Sequence, residues 1–292
     1  MKLFKNENFE LLKRAQREKW AIGQFNISNL ETLKAIIEAA KGLNSPVIIG
    51  TSERESRFLG LKQVVALVGA FKKENSFPIL LNLDHGKDLD YIKKAIDEGY
   101  DCVQFDGSSF SLEENIRMTK EIVKYARKNN VLVEGEVGSI KGSSEVLKSA
   151  PEIKEEDLTN PKEALRFIKE TGVDSLAVNA GSFHGVLSKG ETERINFRAL
   201  NDIKSEIKDS AFLVLHGGSG INREDVKKAI ELGVVKVNIN TDLRVAFTNS
   251  LKNILINNPE EIVPVKYMPE VVIAVKSVVE DKIKLFNSDN KI

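Results

Sequence analysis

Three histidines, the only ones in the 292-residue chain, follow short apolar runs that are typical of buried strands. His85 lies in LDHG, His184 in GSFHG and His216 in LHGG. Three neutral imidazoles with one open coordination position are the ligand set of a catalytic zinc ion, whereas a structural site fills all four positions. A lone histidine there is more often an ordinary packed or surface residue. Three in equivalent positions predict a shared metal site.

Acidic residues end several of the same runs. Asp84 directly precedes His85, Asp106 follows the fourth run, and Glu134 and Glu136 lie at the end of the fifth. An acid beside a metal ligand is well placed for general acid/base work, because the field of the cation controls its protonation. Asp106 and Glu136 have two open interpretations, as direct metal ligands or as residues that orient the histidines.

Two segments in the last third of the chain indicate an anion site. HGGSGI, from His216, has glycine amides and Ser219 just before a helix predicted to start at Asn222. VNINTDLR follows soon after, with Asn238, Asn240, Thr241 and Arg244. In barrel enzymes phosphate commonly binds at the loops after strands 7 and 8, where amide groups and a helix end favour negative charge. The two segments together predict a phosphorylated substrate.

The elements that position these residues alternate regularly. Helical segments such as LETLKAIIEAAKGLN and LKQVVALVGAFKKEN separate the apolar runs. This alternation predicts an α/β protein, a (β/α)8 TIM barrel, with the histidines on the carboxyl-end rim where barrels build their sites. Extra helices are predicted around Asn8 to Lys19, at the barrel bottom, and after Arg244. The eight predicted strands begin at Ala21, Pro46, Ile79, Cys102, Val131, Ser175, Phe212 and Val234.

A doubly wound sheet is the alternative fold, but no GxGxxG motif follows the first strand. Nothing in the sequence suggests a boundary, so we expect residues 1–292 to form one domain. The interval of 44 residues between Val131 and Ser175 contains the polar stretch GSIKGSSEVLKSAPEIKEEDLTN. We interpret this stretch as a long active-site loop. The alternative is an inert surface excursion.

Composition excludes several classes of function. The 43 basic and 43 acidic residues cancel, so no basic face for nucleic acid is predicted. The single cysteine, Cys102, lies in an apolar run and is interpreted as a core residue. The charged N-terminus does not resemble a signal peptide, and no run reaches the ~18 apolar residues of a membrane span. We therefore expect a soluble, cytoplasmic protein that contacts neither nucleic acid nor membrane.

Imine chemistry is disfavoured by the position of the lysines. An enzyme that forms a Schiff base with its substrate needs a lysine that projects into the barrel near the site. Lys236 lies early in the eighth predicted strand, and no other predicted strand carries a lysine in its interior. A metal ion is therefore expected to serve as the electron sink.

The motifs LDHG, GSFHG, LVLHGGSGI and KVNINTDLR, with GQFNISN near the start, resemble the class II (zinc-dependent) fructose-bisphosphate aldolase family from about Ala21 to Phe247. The resemblance implies that the three histidines bind one Zn²⁺ and that Asp84 exchanges a proton with the C4 hydroxyl. It implies a homodimer or homotetramer, and a monovalent or second divalent cation near the site. The implied substrate-binding residues are Asn26, Ser52, Gly185, Gly217, Ser219, Asn238, Asn240, Thr241 and Arg244, the last for the distal phosphate.

The implied reaction is reversible cleavage of fructose 1,6-bisphosphate to dihydroxyacetone phosphate and glyceraldehyde 3-phosphate, in glycolysis and gluconeogenesis. Four departures from the family pattern bear on this expectation. Asn82 replaces a histidine, Arg54 and Glu55 follow Ser52-Glu53 in place of Gly-Ala, and Asn240 stands where many members have aspartate. In the long loop Ser144 occupies the place of the glutamate that handles the C3 proton, and we expect Glu145 to replace it.

Three alternatives follow from these departures. The substrate could be tagatose 1,6-bisphosphate or another ketose phosphate. The chain could also be a paralogue that binds metal and sugar phosphate with weak turnover, although Asp84 and the histidines are intact. A metal-dependent hydrolase is disfavoured, because the first predicted strand ends in Asn26 rather than in an HxH pair.

Overall fold

The computed structural model of the protein describes residues 6–188 and 192–292. Strands form where the predicted apolar runs lie, and most are buried along their whole length, as in a sheet covered on both faces. The strands are β1 (Ile22–Asn26), β2 (Val47–Ser52), β3 (Ile79–Gly86), β4 (Cys102–Phe105), β5 (Leu132–Val137), β6 (Gly142–Leu147), β7 (Ser175–Val178), β8 (His184–Leu187), β9 (Phe212–Leu215) and β10 (Val234–Ile239).

Eight of these strands close a parallel barrel in the order β1-β2-β3-β4-β5-β7-β9-β10. The closure is made by β10 against β1, with Ile22 opposite Lys236 and Phe25 opposite Ile239. Each barrel strand begins within one residue of its predicted start. The predicted (β/α)8 barrel is therefore confirmed.

Helices fill the intervals between the barrel strands, with sequence signals at their ends. Asp88 caps α5 by accepting hydrogen bonds from the backbone N–H groups of Asp90 and Tyr91, and Gly99 ends that helix in a left-handed conformation. The helices are α1 (Glu7–Glu18), α2 (Leu30–Gly42), α3 (Glu53–Leu59), α4 (Leu61–Glu74), α5 (Leu89–Glu98), α6 (Leu112–Lys128), α7 (Pro161–Thr171), α8 (Phe197–Ile207), α9 (Arg223–Glu231), α10 (Thr241–Asn257) and α11 (Pro264–Leu285).

The helix α1 closes the barrel at the end where its strands begin, as predicted. Leu12 and Ala15 of α1 are buried against residues at or next to the first position of the barrel strands, among them Ile48, Leu80 and Phe212. The opposite rim, formed by the carboxyl ends of the strands, is therefore the end of the barrel at which a ligand is expected to bind. No helix within the described ranges is long and apolar enough to cross a membrane.

The long polar interval after β5 is more ordered than the loop that its composition predicts. Part of it forms β6, which pairs in parallel with β8 in a separate two-stranded sheet. The N–H group of His184 donates to the carbonyl oxygen of Lys141 over 2.7 Å at the start of this pairing. The sheet fixes the loop beside the segment that carries His184. The signal-peptide interpretation concerns in part residues 1–5, which lie outside the described ranges.

Candidate active site and metal centre

The three histidines meet at the carboxyl-end rim of the barrel. His85 lies near the end of β3, His184 begins β8, and His216 directly follows β9. One ring nitrogen from each lies within 4.8 Å of the others, and Nδ1 of His216 is 3.1 Å from Nε2 of His85. A tetrahedral zinc ion with bonds of ~2.1 Å separates its nitrogen ligands by about 3.4 Å. The three side chains therefore fit one divalent cation.

The backbone of β3 is distorted where it presents His85. This residue has φ +48°, in the left-handed region that non-glycine residues rarely adopt, and the pairing of β3 with β4 shifts register between Leu83 and Gly86. The His85 N–H group donates to the side-chain oxygen of Gln104 over 2.9 Å. Such a conformation costs on the order of 1–3 kcal/mol and is found mainly at functional sites. The distortion turns the imidazole towards the other two histidines.

The carboxylates of Asp106 and Glu136 face the other ring nitrogen of His85. Its Nδ1 is 3.3 Å from Asp106 and 3.8 Å from Glu136, whereas its Nε2 faces His216. This arrangement favours the two acids as residues that orient His85, although the same three side chains also form a second group with metal-ligand spacing. Burial alone would lower the pKa of His85, but Asp84 and Asp106 raise it to about 10. The surroundings thus stabilise a positive charge on this ring or beside it.

The carboxylate of Glu134 orients His216. Glu134 accepts from Nε2 of His216 over 3.0 Å and from Nζ of Lys236 over 2.6 Å, and all three side chains are buried. Burial raises the pKa of Glu134, but Lys236 and His216 together lower it below its ordinary value. Burial lowers the pKa of His216. His216 therefore keeps a neutral ring whose Nδ1 points at the metal position.

Asp84 lies beside the three histidines and is held by two amide groups. Its Oδ2 accepts from Asn26 over 2.9 Å, and its Oδ1 accepts from Asn238 over 3.0 Å. Burial alone would raise the pKa of Asp84, but the charge on His85 and the hydrogen bond from Asn26 hold it well below its ordinary range. A carboxylate that stays ionised and oriented next to a cation can accept a proton from a substrate hydroxyl group.

The predicted phosphate-binding residues line the same cavity as Asp84, His85 and His184. Gly217 has φ +74°, and a Cβ atom there would lie 2.1 Å from the carbonyl oxygen of Phe183, so this close approach requires glycine. The N-terminus of α10 opens on the cavity at Thr241, which favours an anion there. The predicted substrate-binding residues in this cavity are Asn26, Gly185, Gly217, Ser219, Asn238, Asn240 and Thr241.

Two predicted substrate-binding residues lie outside that cavity. Arg244 lines an adjoining outer cleft of about 540 Å³, which shares Asn26 with the inner cavity. Ser52 caps α3, because its hydroxyl accepts from the N–H group of Glu55 over 3.2 Å. The Glu55 carboxylate is buried and pairs with Arg244 over 2.5 Å.

The loop acid Glu145 also lies outside the cavity that His85 and His184 line. Glu145, which we expected to handle the C3 proton, is exposed on β6 and lines the outer cleft. Ser144, one residue earlier, lines the inner cavity with His85 and His184. The role of Glu145 therefore stays a prediction that requires its side chain to move inwards when substrate binds.

The chain matches the family model described as fructose-bisphosphate aldolase class-II over residues 6–291. The protein belongs to this family. Among curated proteins it is similar to the 6-phospho-5-dehydro-2-deoxy-D-gluconate aldolases of Bacillus licheniformis (42% identity, 97% of this chain and 94% of that protein) and Bacillus subtilis strain 168 (41%, 97% and 95%). Among solved structures it is similar to the YdjI aldolase of Escherichia coli K12, with TM-score 0.83, 31% identity, and coverage of 97% of this chain and 98% of that one.

Class II aldolases are generally metal-dependent lyases that act on small sugar phosphates, and the cluster of three histidines fits that requirement. Sequence reasoning missed two ion pairs at this site. Glu134 pairs with Lys236 and both are buried, whereas Glu55 is buried but pairs with the partly exposed Arg244. The position of Glu55 at the start of a helix could have been predicted, because Ser52-x-x-Glu55 has the spacing of a helix capping box. Nothing local in the sequence connects Glu134 with Lys236.

Proposed function

We propose that the protein is a zinc-dependent aldolase that reversibly cleaves a phosphorylated ketose into dihydroxyacetone phosphate and an aldehyde. The observation that carries this proposal is the inner cavity, where Asp84, His85 and His184 lie against the predicted phosphate site with its glycine and asparagine residues. A protein that only binds metal and sugar phosphate needs no ionised acid held by two amides next to the metal position. The intact acid supports turnover rather than binding alone.

The chain's own residues supply proton transfer and orientation. A divalent cation on the histidines would polarise the ketose carbonyl as a Lewis acid. Asp84 accepts the proton of the hydroxyl group that lies β to this carbonyl, and the bond between the α and β carbons breaks. Its electron pair stays on the α carbon, which then takes a proton from an acid, the role that we propose for Glu145. Asn26 and Asn238 keep Asp84 in place through both directions of the reaction.

The proposed substrate is 6-phospho-5-dehydro-2-deoxy-D-gluconate rather than fructose 1,6-bisphosphate. The curated relatives named above, 41–42% identical over nearly the whole chain, carry the name of that substrate. The ketone of this substrate lies at C5, and the hydroxyl group β to it lies at C3. Cleavage between C3 and C4 therefore releases dihydroxyacetone phosphate and 3-oxopropanoate. Our initial expectation of a glycolytic bisphosphate substrate has less support, although the family model bears that name.

A coupled assay tests this proposal. Zinc-loaded protein is given 6-phospho-5-dehydro-2-deoxy-D-gluconate, fructose 1,6-bisphosphate or tagatose 1,6-bisphosphate, and release of dihydroxyacetone phosphate is followed by its reduction with NADH. We expect the first substrate to have the highest kcat/KM. Higher values for either bisphosphate would overturn the substrate assignment, and release from none of them would overturn the aldolase assignment.

We also propose a homodimer or homotetramer in the cytoplasm, with residues 1–292 as one domain, as the family resemblance implies. Light scattering of the purified protein measures the mass of the assembly directly. A mass equal to the 32.5 kDa chain would contradict the homo-oligomer.

A further inference from the structure

The outer cleft adjoins the side of the inner cavity where the aldehyde half of a substrate would extend. Asn26 lines both spaces, and on the inner side the same residue donates to Asp84, the proposed proton acceptor. Groups in the outer cleft are therefore placed to select the aldehyde half. The charged residues that line this cleft are Arg54, Glu55, Glu145 and Arg244.

Two of these charges, Glu55 and Arg244, neutralise each other at the wall of the cleft. Nη2 of Arg244 lies 2.5 Å from Oε1 of Glu55, and Nη1 donates to the carbonyl oxygen of Ser144 over 2.9 Å. Glu55 is only 6% exposed, and its other oxygen accepts from the N–H group of Ser52 over 2.8 Å and from Asn26 over 3.1 Å. Both ends of the Arg244 guanidinium are thus engaged, which leaves it poorly suited to bind a distal phosphate.

Arg54 remains as the available cation of the cleft. Its side chain is exposed on α3, and it makes no hydrogen bond or ion pair with any residue in the ranges 6–188 and 192–292. The other arginine of α3 differs in this respect, because Arg57 pairs with Glu53 over 2.8 Å and with Asp88 over 3.1 Å. A ligand anion can therefore take the guanidinium of Arg54 without breaking an existing pair.

We propose that Arg54 binds a carboxylate on the aldehyde half of the substrate and that Glu55, by pairing with Arg244, disfavours a phosphate there. This inference rests on the proposed aldolase function. A phosphate monoester carries a charge of about −1.5 to −2 at pH 7 and would meet one free guanidinium, that of Arg54, opposed by the carboxylate of Glu145. A carboxylate carries a single charge, and its two oxygens match the fork of one guanidinium. The cleft therefore selects a short aldehyde acid.

Aldol condensation with different aldehydes measures the selection of the aldehyde separately from the chemical step. Zinc-loaded protein is given dihydroxyacetone phosphate at a fixed concentration with 3-oxopropanoate, its neutral counterpart propanal, or glyceraldehyde 3-phosphate, and kcat/KM is measured for each aldehyde. We expect the wild type to favour 3-oxopropanoate. Arg54→Leu should reduce that value by about 10- to 100-fold, the usual effect of losing a hydrogen bond to a charged group, and should change the value for propanal less than about twofold.

Two further variants serve as a control for Arg54→Leu and as a test of the role of Glu55. Arg57→Leu removes an arginine of the same helix that is already paired, and it should leave all three values unchanged. Glu55→Gln keeps the length of the side chain but removes its charge. It should raise kcat/KM for glyceraldehyde 3-phosphate by about tenfold, because Arg244 loses its charged partner and becomes available to the phosphate.

The results distinguish failure of the proposed aldolase function from failure of the proposed role of Arg54. Condensation of no aldehyde by the zinc-loaded wild type would overturn the aldolase function and this inference with it. Condensation in which Arg54→Leu lowers the values for 3-oxopropanoate and propanal equally would overturn the inference alone. A wild type that favours glyceraldehyde 3-phosphate would also overturn it. Retained turnover of propanal shows that each variant is folded.

Discussion

Lys236 donates to Glu134 over 2.6 Å inside the barrel, and through this pair a cation on β10 sets the position of a metal ligand on the rim. The other oxygen of Glu134 accepts from His216, whose opposite ring nitrogen faces His85. The lysine that could have suggested imine chemistry is therefore engaged in an ion pair. Its role is to keep a buried carboxylate charged so that His216 presents the correct nitrogen.

Lys236→Met should destabilise the protein strongly, because it leaves Glu134 as an unpaired buried charge. Breaking a buried pair in this way costs about 3–5 kcal/mol. Urea unfolding of metal-free protein measures the free energy of unfolding directly. The matched control is the double variant Glu134→Gln with Lys236→Met, which removes both charges and should recover most of the loss. Equal losses in the single and double variants would contradict the pairing.

Asp84→Ala should separate chemistry from metal binding. The side chain does not belong to the cluster of three histidines, so the variant should bind one zinc ion per chain. Its turnover should fall by a factor on the order of 10²–10⁴, the usual contribution of a positioned acid or base. Metal content and kcat are measured on the same preparation. Loss of zinc from this variant would instead make Asp84 a ligand.

Glu145→Gln should slow exchange of the C3 proton of dihydroxyacetone phosphate with solvent, because the glutamine cannot give or take a proton. We expect a loss of about 10²-fold or more in the rate of deuterium incorporation, followed by NMR. Ser144→Ala is the control, since Ser144 lines the inner cavity but supplies no acid. If the alanine variant loses exchange and the glutamine variant retains it, the loop acid is not Glu145.

Glu193 should make the protein less stable as pH rises. Burial raises the pKa of this glutamate to about 8, and its Oε1 atom has no hydrogen-bond partner among the described residues. The folded protein therefore holds a proton that the unfolded chain releases above its ordinary pKa of 4.5. The contribution of Glu193 to the free energy of unfolding should decline between about pH 4.5 and 8 and then level off.

Glu193→Gln removes this titration and keeps an oxygen for the N–H group of Phe183, which donates to Glu193 over 2.9 Å in the wild type. The variant should gain roughly 2–4 kcal/mol over the wild type at pH 9 and little at pH 5. Urea unfolding at several pH values measures both curves. A constant difference between them across the whole range would show that Glu193 does not titrate in the folded protein.

The meeting of the three histidines could be predicted because their positions along the chain follow a local pattern. His85 and His216 end apolar runs, and parallel strands that alternate with helices bring such ends to one rim. The pairs that hold them could not be predicted in this way. Glu134 and Lys236 lie 102 residues apart, and only the stagger of the closed barrel brings them together. Likewise, β6 forms because it pairs with β8, and the polar sequence of this loop does not predict that pairing.

Metal dependence is the central claim, and zinc content measured together with turnover tests it most directly. The wild type should contain one zinc ion per chain and cleave 6-phospho-5-dehydro-2-deoxy-D-gluconate. Thorough chelation should abolish cleavage, and added zinc should restore it. His184→Ala should weaken zinc binding by more than the ~10- to 100-fold that loss of an orienting partner causes. Cleavage that survives complete removal of metal, or a His184→Ala variant that binds zinc as tightly as the wild type, would contradict the account.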